Sequence, residues 1–408
     1  MAFLITQNDT VRVVVVHHPS STDAPGVAEA VVRHFEGAGT VPQAHPISTR
    51  ILGQPDHFAG ASRQHQLLDF GAAAFTVAVL LADRRLCDAL AAPGSEIREA
   101  IVDAIPSASA TTAPRGFCLA LVVAMDRDAL DPLSTEQAFP EEGPIQAERA
   151  YDWLGGVAAK HGIVRVLMHA SRLILDGLEK IQTPVKPPPA QRSAFLSHAK
   201  VDLPQQRGGS LVHQLAARMA GTNYGLKGYL DEIDTLSGWP WRRQFEAVIE
   251  RNALIAFDGD AYPSRPECQR ELLHAKRSRR PILAINAVRD RQSLSFAYGG
   301  NLPVVREPPV SELAMDQLML DLFTETLRTE LWLHDARRVA ECAGLQNPTL
   351  LPRPVELADL AFHVLDGRDQ AGPATLVYPD PPLAPHLREL IDALRPSTLS
   401  VRALSEVV

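Results

Sequence analysis

LIAFDGDAYPSRPECQRELL, the stretch from Leu254 to Leu273, decides the fold. Leu254 to Phe257 is short and apolar on both faces, which is the pattern of a central parallel strand. Asp258 to Ser264 is polar and reads as a loop at the strand's carboxyl end. A helix is then expected over Arg265–Arg277, with Ser264 as N-cap and Glu267 reaching back to it in a capping box. Pro266 falls in the first turn, where a missing N–H costs little. Cys268 and Glu271 lie three apart on one helix face, with Ser264 near that face. Leu272 and Leu273 follow, so Glu271 is a carboxylate beside an apolar stripe, on a helix whose N-terminus points at the strand ends.

Outward from this unit the same rhythm repeats over 193–306. Strands are expected at Ala194–Leu196, Gly228–Leu230 and Ile282–Ile285, and helices at Leu211–Met219 and Trp241–Glu250. Leu211, Leu215 and Met219 form one stripe, and Trp241, Phe245, Val248 and Ile249 another. Alternation of this kind predicts a doubly wound, flavodoxin-like α/β domain with a parallel sheet. Ligands of such sheets bind beyond the carboxyl ends of the strands. The segments there are Ser197-His198-Ala199-Lys200-Val201-Asp202, the run from Asp231 and Glu232 to Trp239-Pro240-Trp241, and Asp258 to Ser264. They gather polar and aromatic side chains at one rim.

Residues 1–182 begin with an apolar run, Val11 to Val16, ended by His17-His18-Pro19. Phe75 to Leu81 and Phe117 to Ala124 read as further strands, and Val27 to Phe35 as a helix, so a second α/β domain is expected. The segment 183–192 contains Pro187-Pro188-Pro189, a stiff extended spacer and a domain boundary. In 307–408, Met315 to Leu331 reads as helix and Ala374 to Tyr378 as a strand, a helical stretch followed by a small α/β unit.

The 408 residues suffice for two or three domains, and at 46% apolar content each can bury a core. The net charge of −8 argues against a dedicated nucleic-acid binder. The four cysteines, Cys87, Cys118, Cys268 and Cys342, have no metal-ligand or disulfide-framework spacing. MAFLITQNDTVR lacks the plan of a signal peptide, and no apolar run nears the roughly 20 residues that span a bilayer. A cytoplasmic protein with no metal and no membrane contact is the expectation.

Three motifs in order, FLSHAKxD at Phe195–Asp202, YLDExDxxxG at Tyr229–Gly238, and Ser264-x-x-x-Cys268-x-x-Glu271-Leu272, resemble the Toll/interleukin-1 receptor (TIR) domain family. The resemblance covers about 115 residues. Tyr298-Gly299-Gly300-Asn301-Leu302-Pro303 looks like the end of a bacterial subgroup in which a TIR-like partner domain precedes the TIR domain. His17-His18-Pro19 and Phe75 to Asp83 are similar to that partner's strands, so the resemblance makes 1–182 a degenerate TIR-like domain. It implies that Glu271 cleaves the nicotinamide–ribose bond of NAD⁺, a substrate rather than a cofactor, giving nicotinamide and ADP-ribose or its cyclic form. The chemistry is reasonable on its own terms. Nicotinamide departs neutral, so one carboxylate near C1′ can stabilise the developing oxocarbenium ion. The resemblance further implies self-association through TIR surfaces and a regulated role in bacterial anti-phage defence, with an upstream sensor or signal nucleotide. Many active members carry an aromatic residue four positions before the glutamate. Glu267 stands there, and Trp239 and Trp241 are candidates to replace it.

The candidate site is thus Glu271 as catalyst, with Ser197, His198, Asp231, Trp239, Trp241, Ser264 and Cys268 as substrate contacts. Each has a plainer reading: Cys268 and Trp241 as core, Ser197 as a turn former, Asp231 as a solvated loop start. Lys276-Arg277-Ser278-Arg279-Arg280 reads as a solvated helix end favourable to the helix dipole, with a phosphate or nucleic-acid role as the minor reading. The rival functions are a non-catalytic TIR adaptor, a TIR enzyme that makes a cyclic messenger, and a nucleoside deoxyribosyltransferase-like enzyme.

Overall fold

The computed structural model describes residues 9–37, 47–54, 73–101, 117–134, 148–149, 158–183, 192–202, 210–221, 225–230, 241–289, 299–367 and 373–407. The chain forms two compact units, Met1–Pro189 and Ala190–Val408. The three prolines of the spacer, and with them most of 183–192, lie outside the described residues.

In the first unit the strands are β1 (Asp9–His17), β2 (Ser48–Leu52), β3 (Ala73–Ala82), β4 (Phe117–Ala124) and β5 (Glu148–Arg149). All pair in parallel, in the order β2-β1-β3-β4-β5. Helices α1 (Ala24–Phe35), α2 (Arg84–Ala91), α3 (Glu96–Ile101), α4 (Leu130–Ser134) and α5 (Ala158–Gln182) accompany them. Val14, Val16, Ala78 and Leu80 point to one face and pack with Leu86, Cys87 and Leu90 of α2. The alternate residues Val13, Val15, Val77 and Val79 are buried on the other face, where α5 packs against β3 and β4. Burial on both faces is why these strands read as unbroken apolar runs.

The second unit repeats the plan. Its strands are β6 (Arg192–His198), β7 (Leu226–Tyr229), β8 (Ala253–Asp258), β9 (Ile282–Asn286) and β10 (Val304–Val305). They form a parallel sheet in the order β10-β9-β8-β6-β7. Counted from the first strand of each sheet, both orders are 2-1-3-4-5, the doubly wound order with its switch point between strands one and three. The helices are α6 (Leu211–Gly221), α7 (Trp241–Ile249), α8 (Pro266–Arg277) and α9 (Glu312–Cys342). Phe195, Leu254 and Ala256 face α7 and α8, meeting Phe245, Ile249, Cys268 and Leu272. On the opposite face α9 lies against β8 and β9 and beside α6. Arg218 of α6 grips Asp316 of α9 through two bonds of 2.8 and 2.9 Å. A helix from beyond residue 306 therefore closes the sheet, and it runs well past the Met315–Leu331 span read from sequence.

The chain ends in a third parallel sheet, β11 (Thr349–Leu350), β12 (Ala374–Tyr378) and β13 (Leu399–Ala403), in that order. α10 (Leu357–Leu365) and α11 (Pro385–Leu394) flank it. No helix among the described residues is long and apolar enough to cross a membrane, and no group of three or more metal-ligating side chains occurs among them.

Three of the four cysteines are buried, while Cys342 is exposed. Burial pushes the thiols of Cys87, Cys118 and Cys268 up to about 12. Because the thiolate is the nucleophile, an alkylating reagent at neutral pH is expected to label Cys342 alone in the native protein. Peptide mapping after a timed iodoacetamide exposure checks this. Labelling at Cys268 comparable to that at Cys342 would contradict the packing described.

Candidate active site

The chain leaves β6 toward β7 and leaves β8 toward β9, so the crevice of the second sheet opens at the carboxyl ends of β6 and β8. Ser197 stands there, one residue before the end of β6 and opposite Ala256 of β8. It shares the face of Phe195, on which α8 lies. From α8, Glu271 reaches the same point. Ser197 Oγ donates to Glu271 Oε2 at 2.5 Å, and Ser197 Oγ and the Tyr262 hydroxyl are 2.8 Å apart. The serine proton is committed to the carboxylate, so Tyr262 is the donor in the second bond. The result is a chain from Tyr262 through Ser197 to Glu271, with Glu271 7% exposed.

Tyr262 is held by the backbone. Asp202, in the turn Lys200–Asp202 after β6, accepts the backbone N–H groups of Ala261 at 2.7 Å and Tyr262 at 3.0 Å. Gly259 permits the approach, because a Cβ there would meet Asp202 Oδ2 at 2.6 Å. Burial raises the Tyr262 phenol well above its ordinary range, and Glu271 and Cys268 add to this. The phenol therefore stays a proton donor. Asp258, at the end of β8, is also raised, first by burial and then by Asp202. Its Oδ1 is buried with no hydrogen-bond partner among the described residues, an acceptor at the rim.

Asp202→Ala leaves two backbone donors unpaired, which costs about 1–3 kcal/mol. Asp202→Asn keeps one oxygen and is expected to lose less. Thermal unfolding of the two variants beside wild type measures the order; equal stability of all three would show that the clamp contributes nothing.

Ser197 and Glu271, 74 positions apart, are brought together as direct partners. His198 is half-buried one position on, its Nδ1 3.2 Å from the Leu196 carbonyl oxygen. Three expectations need correction. Ser264 is not the N-cap: α8 begins at Pro266, so the cap position is Arg265, which makes no side-chain capping bond. Ser264 instead ends the short turn Tyr262–Ser264 and donates to the Ala261 carbonyl at 2.8 Å. It is also exposed whereas Glu271 is buried, so the two do not share a face. Cys268 is packed in the apolar cluster of Phe245 and Leu272 rather than set toward a ligand. Asp231 and Trp239 lie outside the described residues; Trp241 begins α7, and nothing is described of its side chain. Two contributors were missed. Tyr262 and Asp202 both stood in the quoted rim segments, and a tyrosine before Pro-Ser and an acid six residues after the β6 strand core were the available signals.

Among its described residues the first unit offers no counterpart. In α2, Cys87 and Leu90 repeat the spacing of Cys268 and Glu271, but the second position is a fully buried leucine. Its rim acids are consumed by the backbone: Asp83 accepts from Leu86 N, and Asp126 from Ala129 N and Arg84 N.

The fold and site define a class: two doubly wound parallel α/β units in tandem, the second carrying a buried carboxylate at its switch point. No protein-family model matches the chain, and no curated protein does. Among solved structures it is similar to the C-terminal domain of glucosamine-fructose-6-phosphate aminotransferase from Francisella tularensis. That likeness covers 80% of this chain and 84% of that one at 7% identity and a TM-score of 0.19.

Proposed function

We propose that the second unit is a TIR-type enzyme that cleaves the nicotinamide–ribose bond of NAD⁺, with Glu271 as its catalytic carboxylate. The observation that carries the reading is the position of that carboxylate: at the switch point of a parallel sheet, bonded to a serine on the end of the strand beside it. The three ordered motifs support the same assignment. In this mechanism the C1′–N bond breaks heterolytically and its electron pair leaves with nicotinamide, which departs neutral without protonation. Positive charge develops on the ribose, and Glu271 stabilises it. Water then attacks C1′ and gives ADP-ribose, or an internal nucleophile gives a cyclic product. Ser197 and Tyr262 fix the carboxylate's orientation before substrate arrives, the condition under which an electrostatic group is most effective. The first unit, with a leucine at the equivalent of Glu271, serves in sensing or packing rather than chemistry, and activation by self-association in the cytoplasm during anti-phage defence completes the proposal.

The test is nicotinamide release by purified full-length protein across a concentration series, with and without crowding agent. Release that rises with assembly supports the reading. A non-catalytic adaptor has one observation in its favour, the low exposure of Glu271. It is the correct reading if no nicotinamide is released while Glu271→Ala retains full biological activity.

A further inference from the structure

Lys276, in the basic run at the end of α8, is not at a solvated helix terminus, and its charge is met within the fold. It is buried, and its Nζ donates to both oxygens of Glu356, at 2.7 and 3.0 Å, and to the Gly300 carbonyl at 3.0 Å. Arg277 pairs with Asp366. At the carboxyl rim of the sheet Asp258 is in the opposite position. Its Oδ1 is buried with no hydrogen-bond partner among the described residues. The other acids of that rim have partners: Asp202 accepts the N–H groups of Ala261 and Tyr262, and Glu271 accepts the Ser197 hydroxyl. A buried acceptor without a donor is uncommon enough to call for an occupant that supplies one.

The backbone aims Asp258 at the site. Leu254 and Ala256 of β8 face α7 and α8, and Asp258 continues that alternation on the side that carries Glu271. Ala256 lies beside Ser197 in register, so Asp258 stands two residues, about 6–7 Å, nearer the mouth than the serine that holds Glu271. The Gly259 N–H bonds to the Phe257 carbonyl at 3.0 Å, a three-residue turn centred on Asp258, and the Asp258 carbonyl accepts the Ala287 N–H at 2.9 Å. The side chain is thus mounted on a fixed backbone. Glu271 and Asp258 both raise the Tyr262 phenol, so both carboxylates lie near that hydroxyl. Burial, and then Asp202, raises Asp258 itself, which makes it a stronger base than a free aspartate. A carboxylate kept where its charge is disfavoured, at the mouth of a crevice, is one expected to act. An inner carboxylate fixed by a serine and an outer one with an open acceptor match the division of labour in glycosyl hydrolysis, where one carboxylate stabilises the cation and the other activates water.

Taking the reaction to be the NAD⁺ cleavage proposed above, we propose that Asp258 is a second catalytic carboxylate, the general base that takes the proton of the water attacking C1′. Once nicotinamide has left with the C1′–N electron pair, the water oxygen gives a lone pair to C1′ and forms the new C–O bond. The water proton passes to Asp258 Oδ1, ADP-ribose is released, and Asp258 returns the proton to solvent. Glu271 serves the first step and Asp258 the second.

A pyridine base separates the two steps. The ring nitrogen of 3-acetylpyridine adds to C1′ with no proton to lose, so it needs no general base, whereas water does. Full-length protein is incubated with NAD⁺ over a 3-acetylpyridine series, and nicotinamide, ADP-ribose and the exchanged dinucleotide are quantified by chromatography. Asp258→Asn is expected to form ADP-ribose about 10²-fold more slowly, the smaller end of a general-base effect, while exchange continues near the wild-type rate. Its Tm is expected to equal or exceed that of wild type, since the amide removes a half-buried charge. Asp258→Ala is read in the same assay and is expected to split the products in the same way. No nicotinamide from wild type under any condition overturns the cleavage reading and this assignment together. Nicotinamide release without ADP-ribose, ADP-ribose unchanged in both variants, or a fall in ADP-ribose with exchange falling equally or absent overturns this assignment alone.

Discussion

If the second unit cleaves NAD⁺ as proposed, Glu271→Gln is expected to lower the rate of that cleavage by roughly 10²–10³-fold, the effect of removing one preorganised electrostatic group. Glutamine has the same shape, and its amide oxygen still accepts the Ser197 proton. The unit should therefore fold, and the loss should appear in kcat, because the charge acts on the transition state more than on the bound substrate. The opposite pattern, a full rate with a large drop in Tm, would make Glu271 a structural member of the Tyr262–Ser197 chain. Ser197→Ala is the useful companion. It frees the carboxylate without removing it, so a smaller loss of rate is expected than for Glu271→Gln.

Glu356→Ala is expected to destabilise the second unit by about 3–5 kcal/mol, because it leaves the Lys276 ammonium buried without its carboxylate. For a unit of this size that corresponds to roughly 10 °C in Tm. Burial already lowers the Lys276 pKa from the ordinary 10.5, and Glu356 is the group that opposes this. With Glu356 removed the shift deepens. A lysine whose folded pKa lies below its unfolded value binds fewer protons when folded, so stability rises with pH through that window. The deficit of Glu356→Ala should therefore shrink as pH is raised toward 10.5, where the native lysine is neutral. Lys276→Met combined with Glu356→Leu should recover most of the loss. Chemical denaturation at several pH values measures all three; a constant deficit across them would mean that the buried charge is not its source.

How much of this was legible in the sequence depended on the range of the interaction. The central strands of both sheets were visible because burial on two faces leaves uninterrupted apolar runs, as in Val13 to Val16 and Leu254 to Phe257, whereas the strands β2, β5 and β10 toward the edges were not read from the sequence. β7 was placed two residues late because its burial alternates, Leu226 and Gly228 in and Lys227 out. The start of α8 was misjudged because Ser264 and Glu267 mimic a capping box, while Pro266 at the first helical position sets the cap one residue later. Glu271 was identifiable from motif spacing. Its partnership with Tyr262 was not, since that bond runs through a serine 65 positions away. Asp202 escaped for the same reason, acting on backbone 59 and 60 positions downstream. The basic run from Lys276 to Arg280 looked like surface because two of its counter-charges, Glu356 on Lys276 and Asp366 on Arg277, arrive from chain that sequence periodicity does not bring near it.

The central claim is that the Glu271 carboxylate faces the reacting sugar of a dinucleotide. A crystal structure of the full-length protein with a non-hydrolysable NAD⁺ analogue tests it most directly. The account predicts the nicotinamide riboside at the carboxyl ends of β6 and β8, with C1′ within about 3–3.5 Å of a Glu271 oxygen, the separation of a reactive complex. An analogue seated elsewhere, with Glu271 still closed on Ser197 and shielded from it, would contradict the account.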